Sequence, residues 1–485
     1  RQRQMCIRDR FYSEDNFFKT AADAEAAVMY AYGTLNYLEY SRTIFFLGDM
    51  ASETMTTKSD ASADNQDLNN WKVGNFKTNG SLENFFKYAF IGVNRANAVI
   101  KKVPDAGFSQ EQKDLFLGEA YFLRAWNYFN LVRNFGLVPL HKSVVETVDQ
   151  TSTALAPDMD AMYDLILSDC RRAAELLPVY ETPKIGRADR MAAQALAAKA
   201  YLYVASAKEH GVKLYRDMHR DATVMYDSAA YFAGEVIENQ SVYGFESSLL
   251  DIYDVEKARG KEHIFIMAMD RSGSSEGQYS KISKMFIPYI DGATLYLKQG
   301  DKDEYIPTHD GWGEYQTTVA FYNTFDASDK RKTELIVDKV YKADGTLLGE
   351  YPGKIPYPFC RKYIDPKFEG DKTSTRPFLL RFSDVALIYA EAAGPTAKAY
   401  ELVNFIRSRA GLGDMKPNLG KDEFRREILK ERTFELAFEG DHVYDLRRWN
   451  RITTDVPEAA GLSEDQVTFY PIPQAEINLN GSLRP

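Results

Sequence analysis

The chain has 485 residues, of which 45% are hydrophobic and 27% charged, and its formal net charge is −10. A chain of this size and composition is globular, and its negative charge argues against a nucleic-acid ligand, because phosphates demand clustered Lys and Arg. Three scattered cysteines, Cys6, Cys170 and Cys360, exclude a disulfide framework or a zinc site, and no apolar run reaches the roughly 18 residues of a membrane span.

The first ten residues, RQRQMCIRDR, differ in composition from the rest of the chain. Cys6 has charged and polar neighbours and lacks the apolar run of about 7 to 15 residues that a secretory signal segment requires. We therefore expect residues 1–10 to be non-native or unstructured and to form no part of the fold.

Residues 11–245 are predicted to be mainly helical. Ser109 and Gln112 form a capping-box pattern ahead of a helix that Gly136 ends. The segment at 189–208 is rich in alanine, which suits helices that pack closely in stacked pairs. No 34-residue repeat is visible, so periodicity alone does not establish a superhelix. Helices are predicted in both halves of the chain at about 158–177, 189–208, 222–238, 380–393, 396–410 and 421–439.

Between residues 246 and 375 the composition changes. Gly, Pro, Asp and Tyr become frequent, apolar runs shorten to strand-like pieces such as 263–269, and the loop at 291–315 has no helical period. Irregular segments on a rigid scaffold are where binding residues concentrate. The polar stretch at about 50–78 is a second segment of this kind. We expect one globular unit made of a helical region at 11–245, an irregular region at 246–375 and a second helical region at 376–485.

An enzymatic interpretation rests on the segment 273–277, GSSEG, which matches the G-x-S-x-G nucleophile elbow. His309 and His442 follow it in the order that an α/β-hydrolase uses. The surrounding sequence argues against a hydrolase, because three residues separate the elbow from the preceding strand and no βαβ alternation surrounds it. A flexible polar loop explains the match, and the histidines show no metal-ligand spacing. No catalytic residue, metal or cofactor is predicted.

Four glutamates near the C-terminus share one helix face, namely Glu427, Glu431, Glu435 and Glu439. A glycan-cleaving enzyme needs two acids that face each other across a sugar, which a single helix face does not supply. Ion-paired structure is the simpler interpretation, with three arginines close in sequence, Arg425, Arg432 and Arg447. The helix is predicted to end at Gly440, and the segment HVYDLRRWN after it predicts a buried polar network at the helix terminus.

Motif-like segments occur in a fixed order at 117–140, 186–203, 379–393, 403–412, 428–450 and 470–480. Together they resemble the SusD/RagB family, the glycan-binding outer-membrane lipoproteins of bacterial polysaccharide-uptake systems. Clear resemblance begins near residues 16–32. Asp441 and His442 depart from the family pattern, which more often places a basic residue after the Glu-Gly pair.

The resemblance implies a mainly α fold of tetratricopeptide-like helix pairs that form a superhelical scaffold, with a loop-rich subregion containing short strands. It implies a non-catalytic, surface-exposed lipoprotein of a Gram-negative outer membrane, held by a lipidated Cys that this sequence lacks. The implied role is to bind oligosaccharide or polysaccharide and to deliver it, as a lid, to a SusC-like TonB-dependent transporter. Capture of peptides by the same architecture is the alternative.

Aromatic side chains are the expected ligand-binding groups, because a sugar ring can lie flat against an aromatic face whose polar edge stays hydrated. The chain has 31 Tyr, 29 Phe and 4 Trp. Three aromatic residues in polar, Gly-containing loops are expected to be exposed: Trp71, Trp312 and Tyr315. Further candidates are Tyr289, Tyr296 and Tyr322. The alternative for each is a ring that folds back over the core, and this is the expectation for Trp126 and Trp449.

Overall fold

The computed structural model describes residues 18–181, 184–238, 242–257 and 260–483, and helices form most of it. Residues 1–10 and Cys6 therefore lie outside the described residues. Ser109 and Gln112 make the predicted capping box, and Gly136 ends that helix with a φ of 69°. The elements of the N-terminal half are α1 (Ala21–Tyr32), α2 (Leu38–Phe45), β1 (Met55–Thr57), α3 (Ala63–Asn69), α4 (Gly80–Lys102), α5 (Gln110–Phe135), α6 (Met159–Leu176), α7 (Arg190–Glu209) and α8 (Ala222–Glu238).

Helices α4 to α8 pack one against the next along the chain, and α8 continues the stack onto the C-terminal helices. The alanines of α7 are fully buried, notably Ala192, Ala193, Ala197 and Ala200. Short side chains let the backbones of neighbouring helices approach closely, as stacked helix pairs require. The predicted fold class, a mainly α scaffold of tetratricopeptide-like pairs, is confirmed, and the helices predicted at 158–177, 189–208 and 222–238 match α6, α7 and α8 within one residue.

The irregular region holds short helices and most of the strands. Its helices are α9 (Leu249–Ile252), α10 (Ile282–Phe286), α11 (Val319–Thr324) and α12 (Lys330–Leu335). Its strands are β2 (His263–Ile266), β3 (Thr294–Lys298), β4 (Tyr305–His309), β5 (Tyr315–Thr317), β6 (Ile336–Val337), β7 (Lys339–Tyr341), β8 (Leu347–Glu350) and β9 (Phe359–Cys360). An antiparallel sheet in the order β4-β3-β7-β8 covers a small apolar cluster of its own, which lies within residues 287–364.

The C-terminal elements are β10 (Phe378–Arg381), α13 (Phe382–Ala393), α14 (Ala397–Arg409), α15 (Lys421–Glu435), α16 (His442–Arg448), α17 (Ile452–Asp455), α18 (Glu464–Val467) and α19 (Gln474–Leu479). The predicted end of the 421–439 helix is wrong by four residues. Phe438 and Gly440 have φ values of 67° and 82°, which are left-handed, so the chain leaves the helix after Glu435. Trp126 and Trp449 are buried, as predicted.

One face of α15 forms a fully buried ionic cluster. Glu435 accepts hydrogen bonds from Arg381 at 3.0 Å and Arg409 at 2.7 Å, and Glu439, just beyond the helix, pairs with Lys362 at 2.7 Å. Burial raises the pKa of the Glu435 carboxyl, but Arg409 and Arg381 outweigh burial and hold that pKa well below its ordinary value. Ion pairing of the glutamate row is confirmed, but Arg425, Arg432 and Arg447 are not its partners. The buried partners are Arg331, Lys362, Arg381 and Arg409, and Arg407 is a half-buried one.

Arg432 anchors a second buried cluster. Its guanidinium donates to Asp445 at 2.8 Å, to Asp384 at 2.9 Å and to Asp441 at 3.1 Å. Asp441 also pairs with Lys199 at 2.8 Å. Four helices, α7, α13, α15 and α16, and the turn before α16 are thereby joined by charged side chains that are almost completely inaccessible to water.

The same C-terminal turn holds the start of the first irregular loop. Asp49 accepts a hydrogen bond of 2.6 Å from the backbone N–H of Gly440, and His442 Nε2 lies 2.8 Å from a carboxylate oxygen of Glu53. Gly48 has no room for a side chain, because a Cβ there would lie 1.9 Å from the carbonyl oxygen of Gly440. The polar loop at about 50–78 is therefore fixed where it leaves α2.

Replacing Gly48 with alanine should destabilise the protein. The added methyl group meets backbone rather than a movable side chain, so the two segments must separate, at a cost of about 1–3 kcal/mol. Gly33→Ala is the matched control, because a Cβ at Gly33 meets nothing within 4 Å and its backbone is right-handed. Thermal unfolding should give a lower Tm for Gly48→Ala alone, and equal Tm values would contradict the close approach.

The stability contributed by Asp49 and His442 should fall as the pH rises from about 5 to 8. Burial raises the pKa of Asp49 to about 7, so the folded protein keeps a proton there that the unfolded chain has lost above about pH 4. Burial opposes protonation of His442, but Glu53 outweighs it and raises the pKa of His442, so the stabilisation present at low pH is likewise lost as the pH rises.

Asp49→Asn should remove most of this dependence, a difference of about 2–4 kcal/mol in the free energy of unfolding between pH 5 and pH 8. Denaturant unfolding at both pH values measures it. Asp60→Asn, on the same loop with an 82% exposed side chain, is the control and should follow the unsubstituted protein. An undiminished slope in Asp49→Asn would show that Asp49 is not its source.

Candidate functional site

The two irregular segments singled out in the sequence lie side by side in the structure. β1 pairs with β5 in an antiparallel ladder that runs from Met55 opposite Thr317 to Thr57 opposite Tyr315. Side chains extend the contact, since Asn65 donates to Glu314 at 3.2 Å. Segments more than 240 residues apart in the sequence therefore form one continuous surface.

Trp312 lies at the edge of this surface, on a tightly held turn. Its backbone N–H donates to the carbonyl of Lys284 at 2.7 Å, and Gly313 donates to Ile287 at 2.9 Å. A Cβ at Gly311 would lie 1.9 Å from the carbonyl oxygen of Ile287, so only glycine permits the turn to approach α10 this closely. The backbone of the turn is fixed, and the indole is 38% exposed.

Two further tyrosines belong to segments that contact the Trp312 turn. Tyr289 is 68% exposed and follows Pro288, whose carbonyl accepts a hydrogen bond from Gly311. Tyr279 is half-buried, and the Lys281 ammonium group lies 5.9 Å from its ring centroid and 5.8 Å from that of Trp312. We call Tyr279, Tyr289 and Trp312 the aromatic platform.

The polar edges of the platform are available to a ligand. Within the described chain, the indole N–H of Trp312 and the hydroxyl of Tyr289 have no hydrogen-bond partner. Lys284 lies 5.5 Å from the indole centroid and pairs with Asp371 at 2.5 Å. The arrangement offers flat apolar faces with hydrogen-bonding groups at their rims, which suits a ligand with an apolar face and a polar edge.

The expected exposure of Trp71 and Tyr315 is wrong. Trp71 is 3% exposed, donates from its indole nitrogen to the Ala51 carbonyl at 3.1 Å and stacks on Tyr470 at 6.2 Å. Tyr315 is 1% exposed and packs against Phe45 and other rings beneath the ladder. Both rings fold back over the core, so neither can stack on a ligand in this conformation.

Tyr296 and Tyr322 are half-buried, and their assignment as ligand contacts stays a prediction. Tyr296 lies on β3 opposite Tyr341. Tyr322 donates to Asp338 at 3.1 Å, and Lys332 lies 4.5 Å from its ring centroid. Neither ring contacts Trp312 among the described residues.

Sequence reasoning missed Tyr279, Lys281 and Lys284. They lie in QYSKISK, which follows the GSSEG segment and makes a poor amphipathic helix. The signal that was present is the pair of lysines three residues apart next to an aromatic residue. It did not identify a site, because only the fold shows that this segment touches the Trp312 turn.

The residues of the hydrolase-like pattern do not meet in the described part of the chain. The Ser274 hydroxyl donates to the Gln278 side chain at 2.9 Å, and Ser275 lies in the same turn. His309 Nε2 lies 3.1 Å from the buried hydroxyl of Ser283, while His442 pairs with Glu53. Across the described ranges, no cluster of three or more His, Cys, Asp or Glu residues is arranged to hold a metal ion, and no helix is long and apolar enough to cross a membrane.

Two family models match this chain. One, described as the SusD family, matches residues 341–467, and the other, described as starch-binding and associating with the outer membrane, matches residues 13–202. The chain belongs to the SusD/RagB family. The first match contains α15 and α16 with their buried ionic clusters, and the second contains the stacked helices α4 and α5. The resemblance read from the ordered sequence motifs is confirmed.

One relative and two solved structures match this chain over most of its length. SusD-like protein P2 of Formosa agariphila is 26% identical, and the alignment covers 97% of this chain and 93% of that protein. A SusD homolog from Bacteroides thetaiotaomicron shares the fold with a TM-score of 0.78, at 19% identity and 97% coverage of both chains. A laminarin-binding SusD-like protein has a TM-score of 0.75 at 24% identity, covering 95% of this chain and 97% of that one.

Trp71 is buried and Trp312 is partly exposed, so replacing each with alanine should lower the free energy of unfolding by different amounts. Trp71→Ala removes a buried, stacked and hydrogen-bonded ring and should cost about 3–5 kcal/mol of unfolding free energy. Trp312→Ala removes a partly exposed ring with two lysine contacts and should cost less than about 1 kcal/mol. Denaturant unfolding of both variants is the measurement, and similar losses would contradict the assigned exposures.

Proposed function

We propose that this protein binds oligosaccharide or polysaccharide at the cell surface and delivers it to a TonB-dependent outer-membrane transporter. The observation that carries the glycan-binding proposal is the aromatic platform, where the exposed Trp312 stands on a rigid turn whose backbone is bonded to the residue before the more exposed Tyr289. Support also comes from a SusD-like relative that binds laminarin and from the family description as starch-binding.

The chemistry of the platform fits a sugar ring. A pyranose presents a face of C–H groups and a rim of hydroxyl groups, so it can stack on the Trp312 indole while its hydroxyls reach the indole N–H, the Tyr289 hydroxyl and nearby lysines. The backbone hydrogen bonds that fix the turn limit the conformational entropy lost on binding. Tyr296 and Tyr322 are proposed as outer contacts for a longer chain.

The proposed delivery role limits how tightly the protein can bind its glycan. A captured glycan must be released for transport, so we expect a Kd in the micromolar to millimolar range, or roughly −8 to −4 kcal/mol. In this proposal a lipid anchor holds the protein at the outer membrane and the helical scaffold docks on the barrel. The partner transporter and the anchor are proposed on the strength of the family resemblance.

Native affinity electrophoresis against a panel of soluble polysaccharides tests the capture role. At least one glycan should retard the protein, and both Trp312→Ala and Tyr289→Ala should reduce the retardation by about tenfold in affinity, because each removes a stacking face. Tyr231→Ala is the matched control, since Tyr231 is 62% exposed but lies on α8 in the helical scaffold.

Retardation that persists in both platform variants would place the glycan site elsewhere. No retardation by any glycan would overturn the glycan-binding proposal, and the same assay repeated with peptides would then test the alternative cargo.

A further inference from the structure

The aromatic platform is bordered by positive charge, although the chain as a whole carries a net charge of −10. Lys281 and Lys284 lie within 6 Å of the Trp312 ring centroid, and Lys281 and Lys372 lie within 6 Å of that of Tyr279. The ammonium groups thus lie over the same rings that would stack on a ligand.

Carboxylates of the protein neutralise these lysines to different degrees. Lys284 has a close carboxylate partner, Asp371 at 2.5 Å. Among the described residues, Glu276 is the one carboxylate within 4 Å of the Lys281 ammonium group, at 3.7 Å, and Arg42 already binds that carboxylate tightly. Lys281 therefore lies between two rings without a close counter-ion of its own.

Lys372 is a second incompletely neutralised cation. Its ammonium group donates to the backbone carbonyl of Gly273 at 3.2 Å and lies 5.1 Å from the Tyr279 ring centroid. Within the described chain, neither Lys281 nor Lys372 thus has a carboxylate within hydrogen-bond distance, although both lie beside the Tyr279 ring.

We infer that the platform selects acidic glycans, an inference that rests on the proposed glycan-binding function. One sugar of such a glycan stacks on Trp312, and an anionic group on that sugar pairs with Lys281. A sugar carboxylate and a sugar sulfate ester share the required chemistry. Either one supplies the counter-ion that Lys281 lacks, and a charge-assisted hydrogen bond beside an aromatic surface is stronger than one between neutral groups. A neutral glycan would stack but leave that charge unused.

The test compares charged and neutral forms of the same polymers. Affinity electrophoresis and titration calorimetry of the full chain would use polygalacturonate against its methyl ester, and dextran sulfate against dextran, at low and high salt. We expect binding to polygalacturonate or to dextran sulfate to exceed binding to its neutral counterpart by about tenfold and to weaken with salt. Preference for the first polymer identifies a carboxylate ligand, and preference for the second a sulfate ester.

Three lysine variants test whether Lys281 causes the preference for the acidic polymer. Lys281→Gln should lose the tenfold preference for the acidic polymer, and Lys281→Arg should keep it because the charge remains. Lys87→Gln is the matched control, since that ammonium group lies 5.0 Å from the Tyr88 ring on α4 in the helical scaffold, and it should behave as the unsubstituted protein. Unchanged Tm values confirm that each variant folds.

The results separate this inference from the function on which it rests. If the charged and neutral polymers bind equally and Trp312→Ala abolishes that binding, the acidic preference is overturned. Glycan capture at the platform still stands in that case. A preference that survives in Lys281→Gln would also overturn the inference. Failure to bind any polymer, with no effect of Trp312→Ala, would overturn both proposals.

Discussion

The buried ionic network around α15 is the interaction on which the rest of the structure depends. Arg432 bridges three aspartates, and Glu435, about one turn further along the helix, bridges Arg381 and Arg409. Each charge is removed from water, so each depends on its partners to offset desolvation. Removal of a single member of such a network leaves an uncompensated buried charge, at a cost of about 3–5 kcal/mol. The network therefore holds only when all of its segments are in place.

This requirement connects distant parts of the chain. The partners come from the helical stack, from the irregular region and from the C-terminal helices, so the network determines how these three regions pack. Its terminal turn also fixes the first irregular loop, through the hydrogen bond from Gly440 to Asp49 and the pairing of His442 with Glu53. Asp441 and His442, where the sequence departs from the family pattern, are thus both engaged in ion pairs. A loop fixed at its start by this turn and, a few residues later, by the β1–β5 ladder can present a surface without rearranging.

The aromatic platform uses that rigidity. Stacking is favourable only if the ring is already held in place, because ordering a free loop on binding would cost conformational entropy. The Trp312 turn is held by backbone hydrogen bonds to α10 and by a glycine too close to its neighbour for any side chain. The same close packing brings Tyr279 and Lys281 next to the indole. The platform is thus built from segments that are separated in sequence but share one support.

The sequence by itself determined the family, the helical scaffold and most helix boundaries, because these follow from local periodicity, caps and ordered motifs. It indicated that the glutamate row is ion-paired but did not identify the partners. It did not determine which aromatic rings are exposed. Trp71 and Trp312 both lie in polar loops with glycine nearby, yet one ring covers the core against Tyr470 and the other faces solvent. Burial depends on which segment packs over a loop, and those contacts, such as the pairing of β1 with β5, join residues more than 240 positions apart. Only the tertiary structure decides them, because no local pattern encodes the partner across such a distance.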